Sequence, residues 1–83
     1  MAKSLGFEEV LAEKAEGKIK ELSFEDGLKL LEELVAKVES GSLPLDRSVL
    51  AYERGVMVME HLRGLLSVAE KKLQVLQRDE TQR

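Results

Sequence analysis

The chain predicts an all-α fold: an antiparallel, coiled-coil-like helical hairpin with a long second helix and room for a short N-terminal helix. Three observations carry this prediction. Apolar residues recur at steps of three and four in a first stripe, Phe24, Leu28, Leu31, Val35 and Val38. The same spacing continues in a second stripe, Leu45, Val49, Tyr52, Val56, Met59, Leu62, Leu66, Ala69, Leu73 and Leu76. Between them the segment Glu39-Ser40-Gly41-Ser42-Leu43-Pro44-Leu45 holds the one proline of the sequence, and so few connecting residues make the helices antiparallel neighbours.

Residues 1–22 carry a weaker helical pattern, Phe7, Val10, Leu11, Ala15, Ile19 and Leu22, interrupted by Gly17, and read as either a helix or a frayed arm. A strong helix opens at Phe24. The Ser23 hydroxyl there is placed to accept from an orphan backbone N–H, and Glu25 and Asp26 lie at the positive end of the helix dipole. Leu30 and Leu34 widen its apolar stripe, and it ends at Ser40, where Gly41 supplies a left-handed cap. Gly41, Leu43, Pro44 and Leu45 are the turn residues, with Pro44 at or near the first position of the next helix. That helix runs from Leu45 to about Arg78. Of its two glycines, Gly55 reads either as a tolerated helix glycine or as a point of close backbone approach. The organisation is therefore a variable segment over 1–22, a hairpin over 23–78 and a solvated tail over 79–83.

An antiparallel register that sets Val38 opposite Val49 brings Val35 to Tyr52, Leu31 to Val56, Leu28 to Met59 and Phe24 to Leu62 or Arg63. The first stripe is then exhausted. Leu65, Leu66, Ala69, Leu73 and Leu76 overhang it, and burying one such leucine is worth about 1.5 to 3 kcal/mol. Three coverings fit: residues 11–22 folded back so that Leu22 meets Leu65, a second copy, or a different protein with a complementary helix. An intermolecular partner is favoured because Gly17 weakens the first of these.

Composition narrows the function. The 83 residues allow one small domain, and 43% hydrophobic content with three aromatics (Phe7, Phe24, Tyr52) suits seams between helices rather than a pocket. A net charge of −3, split as −4 over residues 1–44 and +1 over 45–83, excludes a polybasic nucleic-acid binder. Without cysteine there is no disulfide or thiolate metal site. Met1-Ala2-Lys3-Ser4 has no signal-peptide core, and no run approaches the roughly 18 apolar residues of a membrane span, so no membrane partner and a cytoplasmic location are expected.

No catalytic constellation stands out, so no catalytic residue, metal site or cofactor is expected. His61 is the sole histidine and reads as an exposed or rim residue. Glu8-Glu9 and Glu32-Glu33 point about 100° apart on a helix and cannot face one reacting centre. Arg47, Arg54, Arg63, Lys71, Lys72 and Arg78 are the candidates for phosphate contact, diluted by acidic neighbours, while Tyr52 lies on the expected seam rather than on a base-stacking surface.

The helix from Phe24 to Leu34, the turn Glu39-Ser40-Gly41-Ser42-Leu43-Pro44-Leu45, Tyr52-Glu53-Arg54-Gly55 and Ala69-Glu70-Lys71-Lys72-Leu73-Gln74-Val75-Leu76, in that order and spacing, resemble the exodeoxyribonuclease VII small subunit family over about residues 24–76. Two positions depart from the family: Leu62, where many members carry cysteine, and Val58, where leucine is usual. The resemblance implies a non-catalytic subunit that assembles on the large catalytic subunit of a nuclease degrading single-stranded DNA from both ends. It implies contact with single-stranded DNA only through that holoenzyme; self-association of the isolated chain is expected from the uncovered overhang. The expected subunit interface is Leu62, Leu66, Ala69, Leu73 and Leu76. Without the family motif, the same physics equally describes a generic helical adaptor or chaperone-like hairpin.

Overall fold

A computed structural model describes residues 5–81. Four helices follow one another: α1 (Phe7–Val10), α2 (Ala15–Ile19), α3 (Phe24–Glu39) and α4 (Leu45–Thr81). The all-α hairpin is confirmed, with α3 and α4 making its two arms and α4, at 37 residues, extending about 55 Å. The helix runs through Thr81, past the Arg78 end expected from the sequence, so the tail expected over 79–83 is helical at least that far. The N-terminal residues read for a signal core lie outside the described residues.

Local chemistry sets the hairpin ends as the sequence requires. At the start of α3 the Ser23 hydroxyl accepts from the Asp26 N–H at 3.1 Å. At its end Ser40 caps the helix and Gly41 turns to φ 73°, a left-handed conformation that costs glycine little. The Ser40 hydroxyl donates to the Lys37 carbonyl at 2.7 Å, and the Ser42 N–H reaches the Ser40 hydroxyl at 3.3 Å, which tightens the turn. Pro44 sits one residue ahead of α4, and its carbonyl accepts the first helical bond, from Ser48, at 2.9 Å.

The seam differs from the one read in the stripes. Gly27, Leu30 and Leu34 of α3 are buried, as are Ala51, Gly55, Val58 and Leu62 of α4. Apart from Leu62, which the first series also holds, these residues form a second series at steps of three and four, offset from the first by a fraction of a turn, and it is this series that faces inward. Phe24, Leu28, Val35 and Val38, with Val49, Tyr52 and Met59, are exposed instead, Tyr52 by 71%. The longitudinal register nevertheless holds, because Leu31 and Val56 line one groove and a Cβ placed on Gly55 would lie 3.8 Å from the Leu31 side chain. Rotation of both helices about their own axes, rather than sliding, separates the expectation from the structure.

Small residues permit that rotation. At Gly27 a Cβ would stand 2.6 Å from Leu62 Cδ2, so the leucine fills the volume that any other residue would claim. Gly55 is less crowded, with Leu31 and Leu34 at ordinary contact distances of 3.8 and 3.9 Å from the same ideal Cβ. Its backbone is approached closely, but not so closely that alanine is excluded.

The N-terminal segment is folded, and it covers one face of the hairpin. Leu5, Phe7, Val10, Leu11, Ala15, Ile19 and Leu22 are all buried, and together with Leu30, Leu34, Ala51, Val58 and Leu62 they make the core. The chain breaks between Leu11 and Lys14 rather than at Gly17, which lies exposed within α2 with nothing near it. Its course also corrects the back-folding considered from register. The segment runs parallel to α4, from Glu8 beside Arg47 to Leu22 beside His61, and does not reach Leu65–Leu76.

Candidate functional site

Three polar contacts from α4 hold the N-terminal segment in place. Arg47 pairs both carboxylate oxygens of Glu8 at 2.9 and 2.8 Å. The Arg54 guanidinium donates to the carbonyls of Val10 at 2.9 Å and Ala12 at 3.1 Å, satisfying an acceptor at the end of α1 and joining the Ala15 N–H on the Ala12 carbonyl. His61 Nε2–H donates to the Leu22 carbonyl at 2.8 Å where the segment turns into α3. Two cations stand over the Phe7 ring, Lys37 Nζ at 5.4 Å and the Arg47 guanidinium at 6.0 Å from its centroid. The rim position expected for His61 is confirmed, and it carries a structural bond.

These contacts redistribute the cations considered for phosphate binding. Arg47 and Arg54 are engaged with the chain itself, whereas Arg63, Lys71 and Lys72 are exposed along the outer half of α4. Among the described residues no group of three or more His, Cys, Asp or Glu side chains is placed to hold a metal ion. Nor, among them, is any helix long and apolar enough to cross a membrane.

What the fold presents is apolar surface, in two places. The first is the part of α4 beyond the reach of α3. Leu65, Leu66, Leu73 and Leu76 are exposed by 37 to 61%, and Ala69 is exposed between them. Val68 and Val75 extend the apolar surface around the helix. Of the five residues expected at an interface, Leu66, Ala69, Leu73 and Leu76 share this free helix. Leu62 is turned inward against Gly27 and is only 6% exposed.

The second surface is a groove along the hairpin face opposite the N-terminal segment. Leu31, Val35 and Val38 form one wall and Tyr52, Val56 and Met59 the other. The sequence reading assigned these residues to the internal seam and so missed them as surface. The signal that separates the two series was present: Gly27, Leu30, Leu34 and Ala51, Gly55, Val58, Leu62 also recur at threes and fours, with small residues where two backbones approach.

The fold is thus a helical hairpin braced on one face by its own N-terminus, with apolar surface uncovered on the other face and along the projecting end of α4. Its family follows from comparison with known proteins. The family model described as Exonuclease VII small subunit matches residues 24–75, and the chain belongs to that family. It is 46% identical over 56 residues to the exodeoxyribonuclease 7 small subunit of Bartonella bacilliformis, an alignment covering 68% of this chain and 67% of the relative. With the small subunit of Symbiobacterium thermophilum the identity is 43% over 60 residues, covering 71% and 81% of the two chains. With that of Photorhabdus laumondii it is 39% over 61 residues, covering 74% and 66%. No solved structure matches the chain.

The matched region starts with α3 and ends within α4, so it contains the hairpin, the groove and most of the overhang. The N-terminal segment that braces the opposite face lies outside it.

Proposed function

We propose that this chain is a non-catalytic subunit of exodeoxyribonuclease VII, docking on the large catalytic subunit that degrades single-stranded DNA from both ends. The observation that carries the reading is an apolar overhang on α4, uncovered within the chain, in a member of the small-subunit family. Leu66, Ala69, Leu73 and Leu76 make the contact, and Leu62 supports it from inside by packing against Gly27. Covering the exposed half of each leucine recovers about 1 kcal/mol apiece, enough for several together to stabilise an assembly. The large subunit presents an extended helical region, and several hairpins stiffen it and fix its geometry on DNA. Without that partner, the same overhangs pair between copies. The assembly works in the cytoplasm, and DNA reaches this chain only through the holoenzyme.

Co-expression with the large subunit tests the reading. The double substitution Leu66→Glu and Leu73→Glu is expected to abolish co-purification while the far-ultraviolet circular dichroism of the isolated chain, diluted until it is monomeric, stays essentially unchanged, because both side chains of the single chain are exposed. Undiminished co-purification would sink the docking assignment.

A further inference from the structure

Only proline costs a helix interior more than glycine, and α4 carries two glycines. Gly55 lies in the braced half of the helix, where a Cβ would touch Leu31 and Leu34 at 3.8 and 3.9 Å. Gly64 has no such neighbours. Nothing lies within 4 Å of the place a Cβ would take, and its backbone is not left-handed, since Gly41 alone has a positive φ among the described residues. Neither space nor backbone angle asks for glycine there.

Its place along α4 is informative. Leu62 is the last buried residue of the helix among those described, and every residue from Arg63 to Leu76 is exposed, so Gly64 stands two residues past the point where tertiary support ends. Ser67 follows one turn on, and glycine and serine paired in this way are a recurrent site of helix bends. A step of about 100° per residue sets Gly64 about 160° around the helix from the centre of the Leu66, Ala69, Leu73 and Leu76 stripe. On that far side the absent side chain bares the backbone hydrogen bonds to water, and helices bow outward on the side where those bonds lengthen. Val68, Lys71 and Val75 share this side and are exposed, so they are free to spread as it opens. The bend therefore tips the overhang towards its own leucine stripe.

We propose that Gly64 is a hinge, about which the projecting half of α4 swings as a helix towards its stripe side while the braced half stays fixed. A bend of about 20° displaces Gln74, about 15 Å further along, by about 5 Å. The leucine stripe then follows a surface that is not straight, which a rigid 37-residue rod could not do. The inference concerns the single chain and stands whatever the overhang docks on.

The sequence has no cysteine, so introduced cysteines carry spin labels at chosen positions alone. Labels at Glu32→Cys on α3 and Gln74→Cys on the overhang, both exposed positions, report the swing by double electron–electron resonance on the full-length chain, diluted until it is monomeric. The distance distribution of the parent is expected to extend to distances about 2 Å shorter than a straight α4 gives, and Gly64→Ala is expected to lose that extension. Gly17→Ala, at an equally open glycine in α2, is expected to keep it. A second pair, Ser67→Cys with Gln74→Cys, lies wholly beyond the joint. Its dipolar broadening is expected to be that of helical spacing, about 10 Å, in the parent and in Gly64→Ala alike.

Identical Glu32–Gln74 distributions in the parent and Gly64→Ala overturn the proposal, as does loss of the shorter distances in Gly17→Ala. If the Ser67–Gln74 pair departs from helical spacing in the parent, the overhang melts rather than swings, and the hinge is wrong. None of these measurements involves the large subunit, so they leave the docking assignment to its own test.

Discussion

Two glycines in the hairpin look alike in the sequence and differ in consequence. At Gly27 a methyl group meets Leu62 Cδ2 at 2.6 Å, so the leucine, itself in the buried core, must shift to admit it. Overpacking of this kind costs about 1 to 3 kcal/mol, against a gain of about 1 kcal/mol in helix propensity. At Gly55 the same methyl meets neighbours at 3.8 and 3.9 Å, so propensity acts unopposed. Urea denaturation is therefore expected to show Gly55→Ala more stable than the parent by about 1 kcal/mol and Gly27→Ala less stable by a similar amount. A gain at both positions would mean that Leu62 repacks freely. Gly41 is a third case, open in space but left-handed in backbone, and its role in the turn was legible from its place after Ser40.

Between elements, the attachment of the N-terminal segment rests on contacts of unequal worth. The Arg47–Glu8 pair is solvent-exposed, and such pairs contribute under about 1 kcal/mol. Arg54 is half-buried and satisfies two backbone carbonyls, and bonds to a charged donor contribute about 1.5 to 3 kcal/mol. Replacing Arg54 with Met, which keeps the apolar stem, is expected to destabilise the chain by about 1.5 kcal/mol or more, and Arg47→Ala by less than half of that. Chemical denaturation of the two variants side by side checks the order. Neither bond was legible beforehand, since an arginine in a charged helix reads as solvated until the chain folds a carbonyl against it.

At the scale of the molecule, α4 is supported unevenly along its length. Up to Leu62 it is covered by α3 and the N-terminal segment; from Leu65 to Leu76 it projects with every residue exposed. A helix without tertiary packing is marginal in water, so hydrogen exchange of the isolated chain, diluted until it is monomeric, is expected to be slow at amides from about Leu50 to Leu62 and fast from Leu66 to Leu76. Adding the large subunit is expected to slow the second group specifically. Protection of the second group that rises with chain concentration would mark the pairing of overhangs between copies, whereas uniform protection along α4 in the monomer would overturn the prediction.

The hairpin, its caps, its turn and the length by which one arm outruns the other were all present in the order of residues. Each depends on chemistry confined to a few neighbours: Ser23 bonding Asp26, Gly41 taking a left-handed angle, Pro44 preceding a helix, apolar residues recurring along one strip. Which strip turns inward is another kind of fact. Both Phe24-Leu28-Leu31-Val35 and Gly27-Leu30-Leu34 satisfy a helical period, and a period is blind to rotation about the helix axis. Folding resolves it because all faces compete at once: the glycine and alanine positions let the backbones close, the N-terminal segment claims the neighbouring side, and the larger aliphatic stripe is left facing outward. That choice turns what reads as a core into a groove.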